Sequence, residues 1–284
     1  MFINPTSKQE IEDIIQNLDS NKSPDAFGIS TKYIKIINSD ISNHLAAIFN
    51  LSFSSGVYPD ALKMAIVTPI FKGGSKLEIS NYRPVSILPI FSKILGRLMQ
   101  LRLVKFLEDN KIIYKHQFGF QKNNSTSQAV LDLFSNIIKA IDEGKYACSV
   151  FLDFAKAFDT VNHDILIDKL EHYGIRGLAN NWFKSYLTGR SQKVKIGNSL
   201  SDEQIISCGV PQGSILGPTL FLIYINDICA SSDILNFFLF ADDTSTLFCH
   251  KSLIEIEKIY NIELDKTLEW LRANKLSLNV SKSN

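Results

Sequence analysis

The stretch FFLFADDTSTLF, Phe237 to Phe248, sets two adjacent aspartates, Asp242 and Asp243, inside a run built for burial. Carboxylates are costly in an apolar core unless they meet a counter-charge or a metal ion. Successive strand residues point to opposite faces, so neighbouring acids serve one site only where the backbone turns. The stretch is therefore expected to form two buried strands joined by a hairpin, with the acids at its tip. A third acid, Asp153, ends another apolar run, SVFLDF. If that strand lies beside the hairpin, Asp153 and Asp242 converge. Such a cluster suits Mg2+, which takes oxygen ligands and usually binds substrate phosphates as well. Two such ions ~4 Å apart would activate an attacking hydroxyl and stabilise the leaving oxygen of a phosphoryl displacement. The same dipeptide is also the ordinary polar tip of a hairpin, and the acids alone leave both readings open.

The pattern around these strands is mixed. TSKQEIEDIIQNL reads as a capped helix, with Ser7 and Glu10 at capping-box spacing and Ile11, Ile14, Ile15 and Leu18 as its stripe. NKSPDAFGIS is a turn-rich break, and a helix is expected over 30–54. MAIVTPIFKGGSK and YRPVSILP read as strands around a Gly-Gly turn, followed by a long basic helix over 90–108. TSQAVLDLFSNIIKAIDEG is a helix closed at Gly144, with Leu131, Phe134, Ile137, Ile138 and Ile141 as its expected buried face. DILIDKLEHYG is a short helix, QKVKIGNSLSDEQIIS a hairpin turning at Gly197 and Asn198, and PTLFLIYINDICA a helix apolar all round. A last helix is expected over 253–273. Hairpins rather than regular strand–helix–strand units argue for α+β packing.

Composition narrows the class. Net charge is only +1, but residues 61–122 hold eleven Lys and Arg against three acids, giving +8 and leaving 1 − 8 = −7 elsewhere. A basic segment of this kind marks either an anion-binding region or a set of solvated helix faces. The four cysteines lie far apart with no C-x-x-C spacing, which excludes a sequence-legible zinc site or disulfide framework and suits a reducing, intracellular compartment. No signal peptide is legible, and no apolar run approaches the ~20 residues of a membrane helix.

Three further features bear on chemistry. CGVPQGSILGPTLF is a Gly/Pro loop that opens a helix, where small residues let a flat partner such as a base approach the backbone. It is equally a plain connection with Pro at a helix start. Lys72 beside the Gly73-Gly74 turn and Arg83 in NYRPVS stand where a strand–turn–strand could clamp a triphosphate, or as ordinary surface charges.

In chain order the sequence carries TPIFKGG, NYRPVSILPIFSKILGRLM, QFGFQKNNST, FLDFAKAFDTVNH, GVPQGSILGPTLFLIYINDI, FADD and WLRANKLSLNVSKSN. These blocks, in this order, resemble the reverse transcriptases of non-LTR (LINE-type, jockey-like) retrotransposons over nearly everything from residue 65 onward. In the preceding segment, SPDAFGIS is similar to that group's GPDGI-type turn, with Asp25 and Gly28 matching loosely. FADD carries Phe240 where many relatives have tyrosine.

The resemblance implies a right-hand polymerase of α+β class. An extension would span 1–64, fingers 65–145, and a palm with a ferredoxin-like sheet 146–284, with the thumb missing beyond Asn284. It implies an RNA-directed DNA polymerase that joins a dNTP to a DNA primer on an RNA template. Asp153, Asp242 and Asp243 would ligate two Mg2+ ions, for which Mn2+ is a substitute. Lys72 and Arg83 would hold the triphosphate, and Gln212 and Gly213 would contact nucleotide and template. Phe158 would block a ribose 2′-OH, which separates this reading from an RNA-dependent RNA polymerase. Lys282 matches a lysine proposed to protonate pyrophosphate. Arg97, Arg102, Arg190, Lys193 and Lys195 are further candidates for nucleic-acid contact. An endonuclease domain is expected on the full-length element protein, and nuclear action is implied. The rival reading is a truncated, catalytically silent domain that binds RNA or a partner protein.

Overall fold

Helices open the chain in the computed structural model, which describes residues 1–21 and 23–283. Ser7 caps α1 (Lys8–Gln16) by accepting the Glu10 amide, and Ile11, Ile14 and Ile15 are buried as the stripe requires. In the NKSPDAFGIS turn, Lys22 lies outside the described residues. The single helix expected over 30–54 is two, α2 (Thr31–Ile36) and α3 (Asn38–Ser55). They break at Ile37 because buried Asn38 turns inward, donating to Glu12 O at 3.1 Å while its Oδ1 accepts from the Ser42 hydroxyl.

There follow β1 (Met64–Phe71), β2 (Tyr82–Ile87), α4 (Ile90–Asp109), α5 (Thr126–Asp142) and β3 (Tyr146–Leu152). Then come α6 (His163–His172), α7 (Leu178–Leu187), β4 (Ser191–Ile196), β5 (Ser199–Leu200) and β6 (Gln204–Ile205). The chain ends with α8 (Gly217–Ile225), β7 (Asn236–Phe240), β8 (Asp243–His250) and α9 (Leu253–Ala273). One sheet runs β2-β1-β4-β5, with β6 also on β4; β1 and β4 are parallel, and the rest of its pairs are antiparallel. The turn at Gly197 and Asn198 falls where expected, between Ile196 and Ser199. The second sheet is antiparallel in the order β3-β8-β7. Its α9 face is held by Tyr260, whose hydroxyl meets Thr246 Oγ1 at 2.6 Å and accepts the Val150 amide at 3.2 Å. Helix α8 is buried on every side, as its all-round apolar sequence predicts. No helix among the described residues is long and apolar enough to cross a membrane.

Of the stripe expected to bury α5, only Ile137 turns inward. Leu131, Phe134, Ile138 and Ile141 are exposed, and the helix instead lays Leu133, Ile137 and Ala140 toward the second sheet, where Leu133 and Ile137 pack with Phe238, Leu247, Ala147 and Cys249. These three inward positions form a narrower stripe than the outward one. Two proposed nucleic-acid contacts are likewise corrected. Arg190 is 1% exposed, stacked 4.9 Å over the Tyr186 ring with Nη1 on Tyr186 O. Arg102 is spent on the N-terminal segment, donating to Asn4 O and Pro5 O and forming a two-pronged pair with Glu10 at 2.9 Å. Asp25 ties the same segment down from the other side. Its Oδ2 accepts the Ile90 amide at 2.8 Å, satisfying an orphan N–H at the start of α4, while Oδ1 closes its own turn.

Partial burial would push the Glu10 carboxyl up, but hydrogen bonds from Arg102 and Thr6 reverse this and hold it below the usual carboxylate range. A depressed folded value contributes stability that is present above the unfolded pKa and lost as pH falls through the folded one. Arg102→Met should therefore cost about 1 kcal/mol at pH 7 in a denaturant melt, the pair being partly solvated. The cost should shrink as pH falls through the depressed Glu10 value, where the carboxyl loses its charge in the parent as well.

Candidate active site

The register of the second sheet assembles the acids. Phe240 pairs with Asp243, leaving Ala241 and Asp242 as a two-residue turn. Leu152 pairs with Thr244, so the next step of that ladder sets Asp153 across from Asp243. Ala241 adopts φ 59°, a left-handed conformation that costs an L-residue about 1–2 kcal/mol, and it is buried. Asp242 is half-buried and Asp243 exposed. Burial pushes the Asp242 carboxyl above its ordinary range, and the charges of Asp243 and Asp153 push it further; its own backbone amide and the Arg83 guanidinium oppose this. Asp153, Asp242, Asp243 and Arg83 thus share one electrostatic neighbourhood. Among the described residues, no three ligating side chains stand close enough to hold an ion as they are.

The C-terminal residues pack against the same strand end. Phe154 bridges to Leu278, Ala155 N donates to Ser277 O, Asn279 N donates to Asp153 O, and Ser283 Oγ accepts the Asp153 amide. Lys282 is exposed in this turn, its amide on Asn279 O.

A second group forms around the turn after Asp153. Phe158 stacks on Phe221 at 4.6 Å and meets the edge of Phe120 at 6.1 Å. Its carbonyl accepts the Val210 amide, and Gly209 N donates to Val161 O, which docks the Gly/Pro loop onto this turn. Gly209 has φ +86°, and a Cβ there would lie 2.6 Å from Asp159 O. Gln212 Nε2 donates to both carboxylate oxygens of Asp159, at 2.8 and 2.9 Å. Gln212 O accepts the Ser86 amide at 2.8 Å, and a Cβ on Gly213 would lie 3.1 Å from Ser86 O. The loop therefore lies against β2, the strand that carries Arg83. Lys72 is exposed at the outer end of the β1–β2 hairpin, two residues beyond Ile70, the cross-strand partner of Arg83, with its amide on Asn81 O. Of the remaining basic candidates, Lys193 pairs with Glu203 at 3.6 Å, Arg97 donates to Gln100, and Lys195 is exposed on β4.

Asp159, which orients Gln212, was missed in the sequence. So were Gln117 and Gly119, which sit against the Ala241 turn. Their signal lay in QFGF, a block quoted for resemblance but given no role.

A carboxylate-bearing turn, a glycine-rich loop and the strand that carries Arg83 thus lie together. Residues 70–284 match the family model described as reverse transcriptase (RNA-dependent DNA polymerase). The chain belongs to the reverse transcriptase family. Among its relatives is the probable RNA-directed DNA polymerase from transposon BS of Drosophila melanogaster, 35% identical over 80% of this chain and 25% of the relative. The corresponding protein from transposon X-element of the same species is 31% identical over 100% and 32%. The RNA-directed DNA polymerase from mobile element jockey of Drosophila funebris is 30% identical over 98% and 31%. The resemblance to jockey-like elements is thus shown, and the chain spans about a third or less of these relatives' length.

The raised Asp242 carboxyl gives a stability test. A folded pKa above the unfolded one makes stability fall as pH rises through the interval between them, with the full penalty above it. In metal-free buffer at pH 7, Asp242→Asn should stabilise the fold by no more than about 1 kcal/mol, since the group is partly solvated. Thermal melts should show the gain vanishing near pH 3.

Proposed function

We propose that this chain is the polymerase part of a non-LTR retrotransposon reverse transcriptase, adding deoxynucleotides to a DNA primer 3′-OH on an RNA template. In this reading residues 65–145 are fingers, 146–284 the palm, and 1–64 an extension clasped to α4. The observation that carries it is the convergence of Asp153, Asp242 and Asp243 at one strand end, where burial first and then the neighbouring acids push the Asp242 carboxyl up. Hard oxygen donors at neighbouring positions fit Mg2+, with Mn2+ as a substitute. Mg2+ held by these three aspartates would supply the charge that activates the primer hydroxyl and stabilises the leaving pyrophosphate.

The chain's own groups do the rest. Arg83, exposed and within the field of Asp242, binds triphosphate oxygens. Lys72, two residues beyond the cross-strand partner of Arg83, supplies a second cation to the same phosphates. Phe158, backed by Phe221, forms a rigid wall that rejects a 2′-OH sterically. The Gln212–Gly213 loop, held by Asp159 and Ser86, presents small backbone to the base pair. Template and primer are gripped through phosphates, 2′-OH groups and shape, since copying cannot depend on base identity. Lys282, exposed in the turn packed on Asp153, is the candidate proton donor to pyrophosphate.

The rival reading is a silent domain that binds RNA or a protein. Primer extension separates the two. With dNTPs and Mg2+ the chain should extend a DNA primer on RNA, and Asp242→Asn should reduce this at least about a hundredfold, because losing a ligand removes several kcal/mol of charge stabilisation. A variant as active as the parent would rule out the metal role. Phe158→Val should raise the rNTP:dNTP ratio of kcat/KM by about tenfold or more, the scale of a hydrophobic-pocket discrimination. An unchanged ratio would remove the sugar-gate assignment.

A further inference from the structure

The residues between α4 and α5 form no named strand, yet they pair with β7. Leu239 N donates to His116 O at 2.9 Å and Phe118 N donates to Leu239 O at 2.7 Å, with Gln117 parallel to Leu239. Gln117 is 2% exposed, and its Oε1 accepts two backbone amides, Gly119 N at 2.9 Å and Ala241 N at 3.0 Å. Two N–H donors converging on one atom require that atom to be the amide oxygen. Nε2 is buried with no partner among the described residues. Gly119 lies so close to the turn that a Cβ would fall 2.2 Å from Ala241 N and 2.8 Å from Phe240 C.

We propose that Gln117 is a positioning residue of the polymerase site, acting through the Ala241 amide to set the Asp242 turn, with Gly119 leaving the space in which that turn seats. The inference rests on the reading of Asp153, Asp242 and Asp243 as the metal-holding groups. Ala241 occupies the first position of a two-residue hairpin turn with positive φ, a place that glycine normally takes. Its N–H is buried and needs an acceptor. Gln117 supplies that acceptor from outside the hairpin, so the turn is held by a side chain rather than by its own sequence. An apolar side chain would fill the same volume without stranding a buried Nε2. The oxygen is the part of Gln117 that the turn uses, and Asp242 is the next residue along the chain.

Three measurements on the full chain test this. Hydrogen exchange of the Ala241 amide, followed by NMR, should be slowed at least about a hundredfold relative to unstructured chain, as for an amide bonded inside the core. Exchange at the rate of an open turn would overturn the proposal. Gln117→Met keeps length but removes the acceptor. Free Mn2+ measured by electron paramagnetic resonance should then report at least about tenfold weaker binding, the usual effect of losing a supporting partner. Gln117→Glu, which restores an oxygen, should recover Mn2+ affinity to within about threefold. In primer extension, Gln117→Met should lower kcat while changing KM for dNTP less than about twofold. Parent-like Mn2+ affinity in Gln117→Met would overturn the proposal. If that variant does not fold, Ala241 protection in Gln117→Glu decides: protection retained supports the role of the oxygen, and protection lost refutes it. A parent chain with a protected Ala241 and Gln117-dependent Mn2+ binding, but no primer extension, would remove the polymerase reading while leaving the positioning role standing.

Discussion

Strand β8 is hydrogen-bonded on both edges, and its register decides where every carboxylate of the site lies. Thr244, 1% exposed, is paired with Leu152 on one side and Leu239 on the other. That double pairing sets the ends of β3 and β7 level, so Asp153 and the Ala241-Asp242 turn emerge together. A slip of one residue would exchange the faces that β8 packs against α5 and α9, and a slip of two would part the acids by about 7 Å. The register is guarded by what β8 buries, Leu247 against α5 and Thr246 against the Tyr260 hydroxyl. Packing far from the acids therefore keeps them together.

Around this sheet the site is built by three segments distant in sequence. The Gly/Pro loop fastens to the Phe158 turn through Gly209 and Gln212, and to β2 through Ser86. The Gln117 segment adds itself beside β7 and reaches Phe158 through Phe120. Residues 277–283 lie along the Asp153 end of β3. Backbone hydrogen bonds dominate these joints, which leaves side chains such as Arg83 and Asp243 exposed for a ligand. The N-terminal helices serve a different end, being clamped to α4 by Arg102 and Asp25.

Local chemistry was legible in the sequence wherever one segment decides its own conformation. The acid turn, the Gly197–Asn198 hairpin, the capped α1 and the span of α9 all follow from periodicity, turn residues and caps. What depends on a partner was not legible. α5 presents two apolar stripes, and only the sheet it meets selects the narrower one. Arg190 looks like any basic residue after a Gly until α7 and Tyr186 bury it. The role of Gln117 exists only because its segment lies against Ala241, more than a hundred residues away. Asp153, Asp242 and Arg83 are brought together by pairings between segments that lie far apart in the chain.

The central claim is that Asp153 and the Asp242 turn bind divalent cation as one site. Iron(II) in place of magnesium, with ascorbate and peroxide, cuts backbone within reach of a bound ion, and mass spectrometry maps the cuts. The account predicts cleavage near residue 153 and near residues 241–243 in the same preparation, suppressed together by excess Mg2+ and by Asp153→Asn. Cuts confined to one of these segments, or unaffected by Asp153→Asn, would contradict it.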